Sequence, residues 1–117
     1  MQRVKRGDIW LVNLDPTVGH EIKKSRPAVI VQNDIGNHYS PITIIAPITS
    51  QLKEKLYPFE AQLPKEYTGL SKDSKVLMNQ IRAVDKERLI KRVGTVKEEL
   101  LEDVNKALRI SLGLDNL

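Results

Sequence analysis

The sequence predicts a mainly β protein, a small antiparallel barrel or strongly bent sheet, followed by one amphipathic helix. Two observations support this fold class. Most of the chain alternates short apolar runs with turn residues, and the C-terminal part carries apolar residues at helical spacing. The length of 117 residues fits a single domain over residues 1–117, with the barrel at about 7–94 and the helix at about 96–112.

Short apolar runs separated by polar loops mark the predicted strands. The runs are 9–14, 28–31, 42–48, 59–63, 76–81 and 89–93. The segment 33–37, Asn-Asp-Ile-Gly-Asn, is predicted to be a turn. Pro47 falls inside the third run, and we expect it on an edge strand or at a bulge, because proline has no backbone N–H to donate.

The C-terminal segment is predicted to be one helix of about 17 residues. Thr95 and Glu98 fit a capping box at its start, and Gly113 is expected to end it. The apolar stripe consists of Leu100, Leu101, Val104, Ala107, Leu108 and Leu112. This stripe must pack on the barrel or on another subunit.

Composition excludes several kinds of site. The chain has no cysteine, so disulfides, cysteine-ligated zinc, iron–sulfur clusters and a thiol nucleophile are excluded. His20 and His38 lie far apart in sequence without a carboxylate cluster, and no glycine-rich nucleotide loop occurs, so we expect no metal and no cofactor. No apolar run has the length of a membrane helix or a secretory signal, so a cytoplasmic protein is expected.

Charge is unevenly distributed along the chain. The net charge of +4 is mild, but residues 82–97 carry six basic and two acidic side chains, whereas residues 98–117 carry five acidic and two basic ones. A polyanion is therefore expected to bind the barrel rather than the C-terminal helix.

The polar loop from Asp15 to Arg26 has two interpretations. It is either a solvated hairpin connection or a mobile flap that holds a cationic clamp for phosphate. Arg26 precedes Pro27, which favours extended geometry at the start of a strand, and a guanidinium fixed there offers a planar fork of donors to a phosphate. Lys23 and Lys24 would add attraction for a polyanion without specificity.

Three other features also have a structural interpretation beside a functional one. The end of the third strand, Thr49-Ser50-Gln51, is either a hydroxyl-rich strand end with local hydrogen bonds or part of a site. Trp10 is interpreted as a core residue rather than a base-stacking one, and His20 as an exposed loop residue.

Taken together, these stretches resemble the MazF/PemK family of bacterial toxins, which are sequence-specific endoribonucleases. The motifs R-G-D-I-W, N-L-D-P-T-V-G-H-E, S-R-P-A-V, A-P-I-T-S-Q and N-Q-I-R follow one another in order, and the resemblance covers residues 5 to about 112. It implies an SH3-like barrel assembled as a homodimer. It also implies metal-independent cleavage of single-stranded RNA to a 2′,3′-cyclic phosphate and a 5′-OH, and neutralisation by an antitoxin protein.

By position, the resemblance places the catalytic arginine of the family at Arg26, its hydroxyl residue at Thr49 and its loop glutamate at Glu21. The RNA-binding positions that it implies are Thr17, Val18, Lys23, Lys24, Ser50, Gln51, Gln80 and Arg82. Base selection is expected from two loops, 15–25 and 50–58. Arg26 and Thr49 are expected to stabilise the transition state, whereas a guanidinium is a poor base, so the proton acceptor stays open, with Glu21 the better base chemically.

Two other classes of function fit the same barrel. One is a non-catalytic toxin that acts by binding a protein, as a gyrase poison does, and the other is an SH3-like nucleic-acid-binding module. Neither needs a guanidinium paired with a hydroxyl, so RNA cleavage in EDTA separates them from a nuclease.

Overall fold

The computed structural model describes residues 3–52 and 55–116, a range that contains seven strands and two helices. The strands are β1 (Asp8–Asn13), β2 (Ser25–Ile30), β3 (Ile42–Thr49), β4 (Glu60–Leu63), β5 (Ser74–Leu77), β6 (Arg82–Asp85) and β7 (Leu89–Thr95). The helices are α1 (Asp34–Tyr39) and α2 (Glu98–Ser111). The prediction of a mainly β fold with a C-terminal helix is confirmed.

All strand pairs are antiparallel, in the order β4-β5-β3-β2-β1-β7, and β6 also pairs with β3. The long strand β3 pairs with β2 on one side. On its other side it pairs first with β6, over Ile42–Ile45, and then with β5, over Ile48–Thr49. One strand therefore joins the two halves of the sheet.

The sheet buries side chains on both faces because successive residues of a strand point to opposite sides. The first face carries Val29, Ala46 and Val76, together with Val104 and Ala107 of α2. The second face encloses Trp10, Val12, Leu14, Ala28, Ile30, Ile45, Val84 and Leu89. Trp10 is only 5% exposed there, so its interpretation as a core residue is confirmed.

The expectation that Pro47 lies on an edge or at a bulge is wrong. Pro47 belongs to the interior strand β3 and lies opposite Ala28 of β2. On the other side of β3, the pairing with β6 ends at Ile45 and the pairing with β5 begins at Ile48. Proline is accommodated because it falls at the junction of two partner strands.

Two local predictions are also wrong. The predicted turn at 33–37 begins helix α1, because the Asn33 side chain accepts a hydrogen bond from the N–H of Gly36 at 2.8 Å and caps the helix. The predicted strand 76–81 is interrupted by a 3₁₀ turn, Met78–Gln80, which separates β5 from β6.

The capping box predicted for α2 is absent. Thr95 is the last residue of β7, and its hydroxyl donates to the carbonyl of Gly7, while Lys97 precedes the first helical residue. At the other end Gly113, with φ of 73°, ends the helix as predicted, and the N–H of Leu114 donates to the carbonyl of Arg109 at 2.8 Å. Five residues of the predicted apolar stripe pack in the core below α2, whereas Leu112 follows the end of the helix and is 52% exposed. No helix within residues 3–52 and 55–116 has the length and apolar character needed to cross a membrane.

Candidate active site

Arg26 is the second residue of β2 and lies opposite Val12 of β1. Its side chain shares a strand face with Ala28, because alternate residues of a strand point the same way. The Nε–H group donates to the carbonyl oxygen of Lys23 at 2.8 Å, and the residue is half-buried. This bond uses one of the five N–H donors of the guanidinium and orients the remaining four.

Thr49 is the last residue of β3. The pairing of β2 with β3 ends at Ala28, which lies opposite Pro47. Arg26 and Thr49 each lie two residues beyond this last pair, one on each strand. The Thr49 hydroxyl oxygen accepts a hydrogen bond from the N–H of Gln51 at 3.1 Å. The local hydrogen bond expected at a hydroxyl-rich strand end is therefore present, and Thr49 also lines a cleft.

The cleft that contains both residues has a volume of about 370 Å³. It is lined by His20, Ile22, Arg26, Thr49, Gln51, Glu60, Lys75, Leu77, Asn79 and Gln80. Four of the predicted site residues therefore meet in one open space, namely Arg26, Thr49, Gln51 and Gln80. A guanidinium and a hydroxyl that line the same cleft provide donors of the kind that a phosphate ester accepts.

The cleft also contains a charged pair, Lys75 and Glu60, which was not among the site residues predicted from the sequence. The Nζ atom of Lys75 lies 3.0 Å from Oε1 of Glu60, and the two side chains are 8% and 7% exposed. Glu60 was visible as a polar residue in the alternating run 59–63. The registers of β3 with β5 and of β4 with β5 decide which polar residues face the cleft. These registers join segments that are distant in sequence, so no local pattern predicts them.

Glu21 lines a neighbouring cleft of about 380 Å³ that shares His20, Ile22, Asn79 and Gln80 with the first. Its Oε1 atom accepts a hydrogen bond from the N–H of Val18 at 2.5 Å, so the carboxylate stabilises its own loop.

Gln80 and Arg82 hold this loop from the opposite side. Oε1 of Gln80 accepts from the N–H of Ile22 at 2.8 Å, and Nη1 of Arg82 donates to the carbonyl of Leu14 at 2.9 Å. Both side chains line the cleft of Glu21. The two predicted RNA-binding residues therefore also fix the position of the loop from Leu14 to Ile22.

The remaining predicted RNA-binding residues line neither cleft; they are Thr17, Val18, Lys23, Lys24 and Ser50. Thr17 is half-buried and the other four are exposed, Val18 at 80%. Residues 53 and 54 of the predicted loop 50–58 lie outside the described residues. Within the described ranges, no group of three or more His, Asp or Glu residues is placed to hold a metal ion.

The family profile of the PemK-like, MazF-like toxins of type II toxin–antitoxin systems matches residues 5–112. The chain is also similar to "Endoribonuclease EndoA" of Bacillus subtilis (strain 168). The two are 40% identical over 111 residues, which cover 95% of this chain and 96% of that protein.

Solved structures agree with this assignment. The crystal structure of MazF from Deinococcus radiodurans matches with a TM-score of 0.81 and 28% identity, covering 97% of this chain and 99% of that one. A MazE–MazF complex from the same organism matches with a TM-score of 0.75 and 27% identity, covering 98% of this chain and 100% of the matched chain. The resemblance that the motifs indicated is therefore confirmed, and the chain belongs to the PemK-like, MazF-like toxins of type II toxin–antitoxin systems.

Proposed function

We propose that the chain is an endoribonuclease that cleaves single-stranded RNA at a short specific sequence without a metal ion. The observation that carries this proposal is that Arg26 and Thr49 both line one open cleft. The 40% identity with a relative named as an endoribonuclease supports the same reaction.

The reaction uses the 2′-OH that neighbours the cleaved phosphate. Its oxygen forms a bond to phosphorus while the bond from phosphorus to the 5′-oxygen of the next nucleotide breaks. The departing 5′-oxygen takes up a proton from solvent, so the products are a 2′,3′-cyclic phosphate and a 5′-OH. Negative charge develops on the nonbridging oxygens, and the Arg26 guanidinium and the Thr49 hydroxyl stabilise that charge by donating hydrogen bonds.

Proton transfer needs a second kind of group, because a guanidinium stays protonated at all working pH values. We assign the removal of the 2′-OH proton to Glu21, whose carboxylate lies on the wall of the adjoining cleft. Binding of RNA across the two clefts brings the ribose between the carboxylate and Arg26. The shared residues Ile22 and Gln80 form the boundary between the clefts.

The remaining predicted residues bind the strand around the cleaved bond. Gln51, Gln80 and Arg82 contact RNA from the cleft walls, while Lys23 and Lys24 attract its phosphates from the exposed loop. Thr17, Val18 and Ser50 contact the bases, which single-stranded RNA presents unstacked. Messenger RNA is a single-stranded RNA of this kind and is the proposed substrate. The proposed location of the protein is therefore the cytoplasm.

Two partners belong to this proposal. The first is an antitoxin protein, because a 27% identical relative is known from a MazE–MazF complex. We propose that this partner covers the cleft. The second is another copy of the chain. Ile35 and Tyr39 lie one turn apart on α1 and are 74% and 80% exposed, and a homodimer would cover such apolar side chains. Light scattering that shows a fully active monomer at low concentration would contradict the dimer.

Incubation of the purified protein with a mixed-sequence RNA in EDTA tests the proposed reaction. We expect discrete fragments that end in cyclic phosphate, and mapping of their ends gives the recognised sequence. Arg26→Ala prepared in parallel separates this activity from a contaminating nuclease. Intact RNA that remains bound to the protein would contradict cleavage and favour a nucleic-acid-binding module.

A further inference from the structure

A second basic side chain lies beside Thr49. In the pairing of β3 with β5, Lys75 is directly opposite Thr49, and on the side of β2 both Arg26 and Thr49 lie two residues beyond the last pair, Ala28 with Pro47. Neighbouring strands are about 4.8 Å apart, so the backbone of Lys75 lies about that far from the backbone of Thr49. Both basic side chains line the same cleft.

The strand pattern explains why Lys75 faces the cleft. All four residues of β5 are buried, but Val76 points into the core, whereas Lys75 and Leu77 line the cleft. Glu60 of β4 lies opposite Leu77 and reaches Lys75 diagonally. This diagonal relation places the two charged groups 3.0 Å apart, with less than a tenth of either side chain exposed.

Stability alone does not account for this ion pair. The desolvation of two buried charges offsets much of their attraction, and apolar residues of similar volume stabilise a fold equally well or better. Oε1 of Glu60 also accepts a hydrogen bond from the N–H of Tyr57 at 3.1 Å, so Glu60 has a structural role in the turn before β4. The Nζ atom of Lys75 has no backbone partner of this kind within the described residues, and its place beside Thr49 suggests a second role for it.

We propose that Lys75 is a further RNA-binding residue, whose ammonium group contacts a backbone phosphate next to the cleaved bond, and that Glu60 positions it. This inference rests on the proposed function. In the absence of RNA, Glu60 neutralises Lys75 and holds its flexible side chain in the cleft. An RNA phosphate that enters beside Thr49 gives Lys75 a second anionic partner.

The salt dependence of RNA binding tests this assignment, because each phosphate contact on a single strand contributes about 0.7 to the slope of log affinity against log salt concentration. The probe is a single-stranded oligonucleotide of the recognised sequence with 2′-deoxyribose at the cleaved position, so that binding is measured without cleavage. We expect Lys75→Gln to bind about 5-fold to 10-fold more weakly at low salt, with a slope smaller by about 0.7. Lys75→Arg should keep the slope of the unmodified protein, and Glu60→Gln should keep the slope and bind at least as tightly.

Matched variants separate binding from folding. Lys65→Gln removes an exposed lysine outside the cleft and should leave both affinity and slope within experimental error of the unmodified protein. Lys75→Gln leaves Glu60 buried without its partner, so the double variant Lys75→Gln/Glu60→Gln provides a neutral pair if the single variant unfolds. It should show the same reduced slope.

A slope for the folded double variant equal to that of the unmodified protein would overturn the role of Lys75. Cleavage of the corresponding all-ribose oligonucleotide by the unmodified protein, measured in parallel, would show that the proposed function still holds. A protein that neither binds nor cleaves RNA would overturn both.

Discussion

The Nε–H group of Arg26 donates a hydrogen bond to the carbonyl oxygen of Lys23 over 2.8 Å, so the backbone of the preceding loop orients the guanidinium in the cleft. Four N–H donors on the two terminal nitrogens remain to form a planar fork toward a phosphate.

Arg26→Lys retains the positive charge but loses this fork. We expect it to lower kcat/KM by about 100-fold, a loss typical of removing one donor to a developing oxyanion. Single-turnover cleavage of a short RNA with the mapped sequence measures the effect, with Arg26→Ala as the fully deficient reference. Full activity of the lysine variant would show that charge alone suffices.

Thr49→Val tests the hydroxyl at nearly constant side-chain volume. We expect a loss of about 10-fold to 100-fold in the cleavage rate, because a donor to the nonbridging oxygens is gone. The valine variant also loses the hydrogen bond with the N–H of Gln51, so Thr49→Ser, which keeps both interactions, is the matched control. Equal rates in the valine and serine variants would contradict a role for the hydroxyl.

Glu21→Gln removes the proposed proton acceptor and preserves an oxygen that accepts from the N–H of Val18, so the loop keeps its local hydrogen bond. We expect a loss of about 100-fold or more in the cleavage rate, within the range of general-base catalysis. His20→Asn, measured in the same way, probes the imidazole that lines both clefts. A fully active Glu21→Gln together with an inactive His20→Asn would transfer the role to the histidine.

Asp34 predicts a pH dependence of stability. Its carboxylate accepts a hydrogen bond from the N–H of Arg6 at 2.7 Å, and this bond is the main cause that lowers the pKa of Asp34 below its ordinary value of 3.8. Because folding lowers this pKa, the ionised carboxylate stabilises the folded protein at pH values above 3.8. This stabilisation is lost as the pH falls through the pKa of the folded state.

The free energy of unfolding of the unmodified protein should therefore decrease more steeply below about pH 4 than that of Asp34→Asn. Urea titrations between neutral and acidic pH measure both proteins. Parallel curves over the whole range would show that this hydrogen bond contributes nothing to the pH dependence.

Gly94 in β7 approaches the loop that follows β4. A Cβ atom at this position would lie 2.2 Å from the carbonyl oxygen of Thr68, which also accepts a hydrogen bond from the N–H of Thr95. We expect Gly94→Ala to lower the free energy of unfolding by about 1–3 kcal/mol, because backbone must shift to relieve the contact. Lys91→Ala, at an exposed position of the same strand, should change it by less than about 0.5 kcal/mol. Equal urea midpoints for the two variants would contradict the steric argument.

Features set by nearby residues were predictable from the sequence. The apolar stripe of α2, the end of that helix at Gly113 and the buried position of Trp10 each depend on local spacing or residue type. Two errors came from residues that serve more than one local structure. Asn33 reads as a turn residue but caps α1, and Thr95 resembles a helix cap but ends β7.

The site was predictable only in part, for a different reason. Arg26 and Thr49 were identified through the family motifs, and their shared cleft agrees with that identification. The pair of Lys75 with Glu60 depends on the registers of β3 with β5 and of β4 with β5. The register between strands depends on the packing of the whole sheet, so no local sequence pattern predicts it.

The double pairing of β3 places the residues proposed for transition-state stabilisation and the segments proposed for base selection in different parts of the structure. This strand pairs with β2 as far as Pro47, and its last two residues, Ile48 and Thr49, pair with β5, so Thr49 keeps a fixed place in the sheet. Apart from Ser25, the first residue of β2, the described residues of the two segments expected to choose among bases, 15–25 and 50–58, belong to none of the seven strands. Exchanging the connection 50–58 for that of another family member would redirect the protein to new targets and leave Arg26, Thr49 and the loop that carries Glu21 unchanged, which gives such toxins a simple route to diversify.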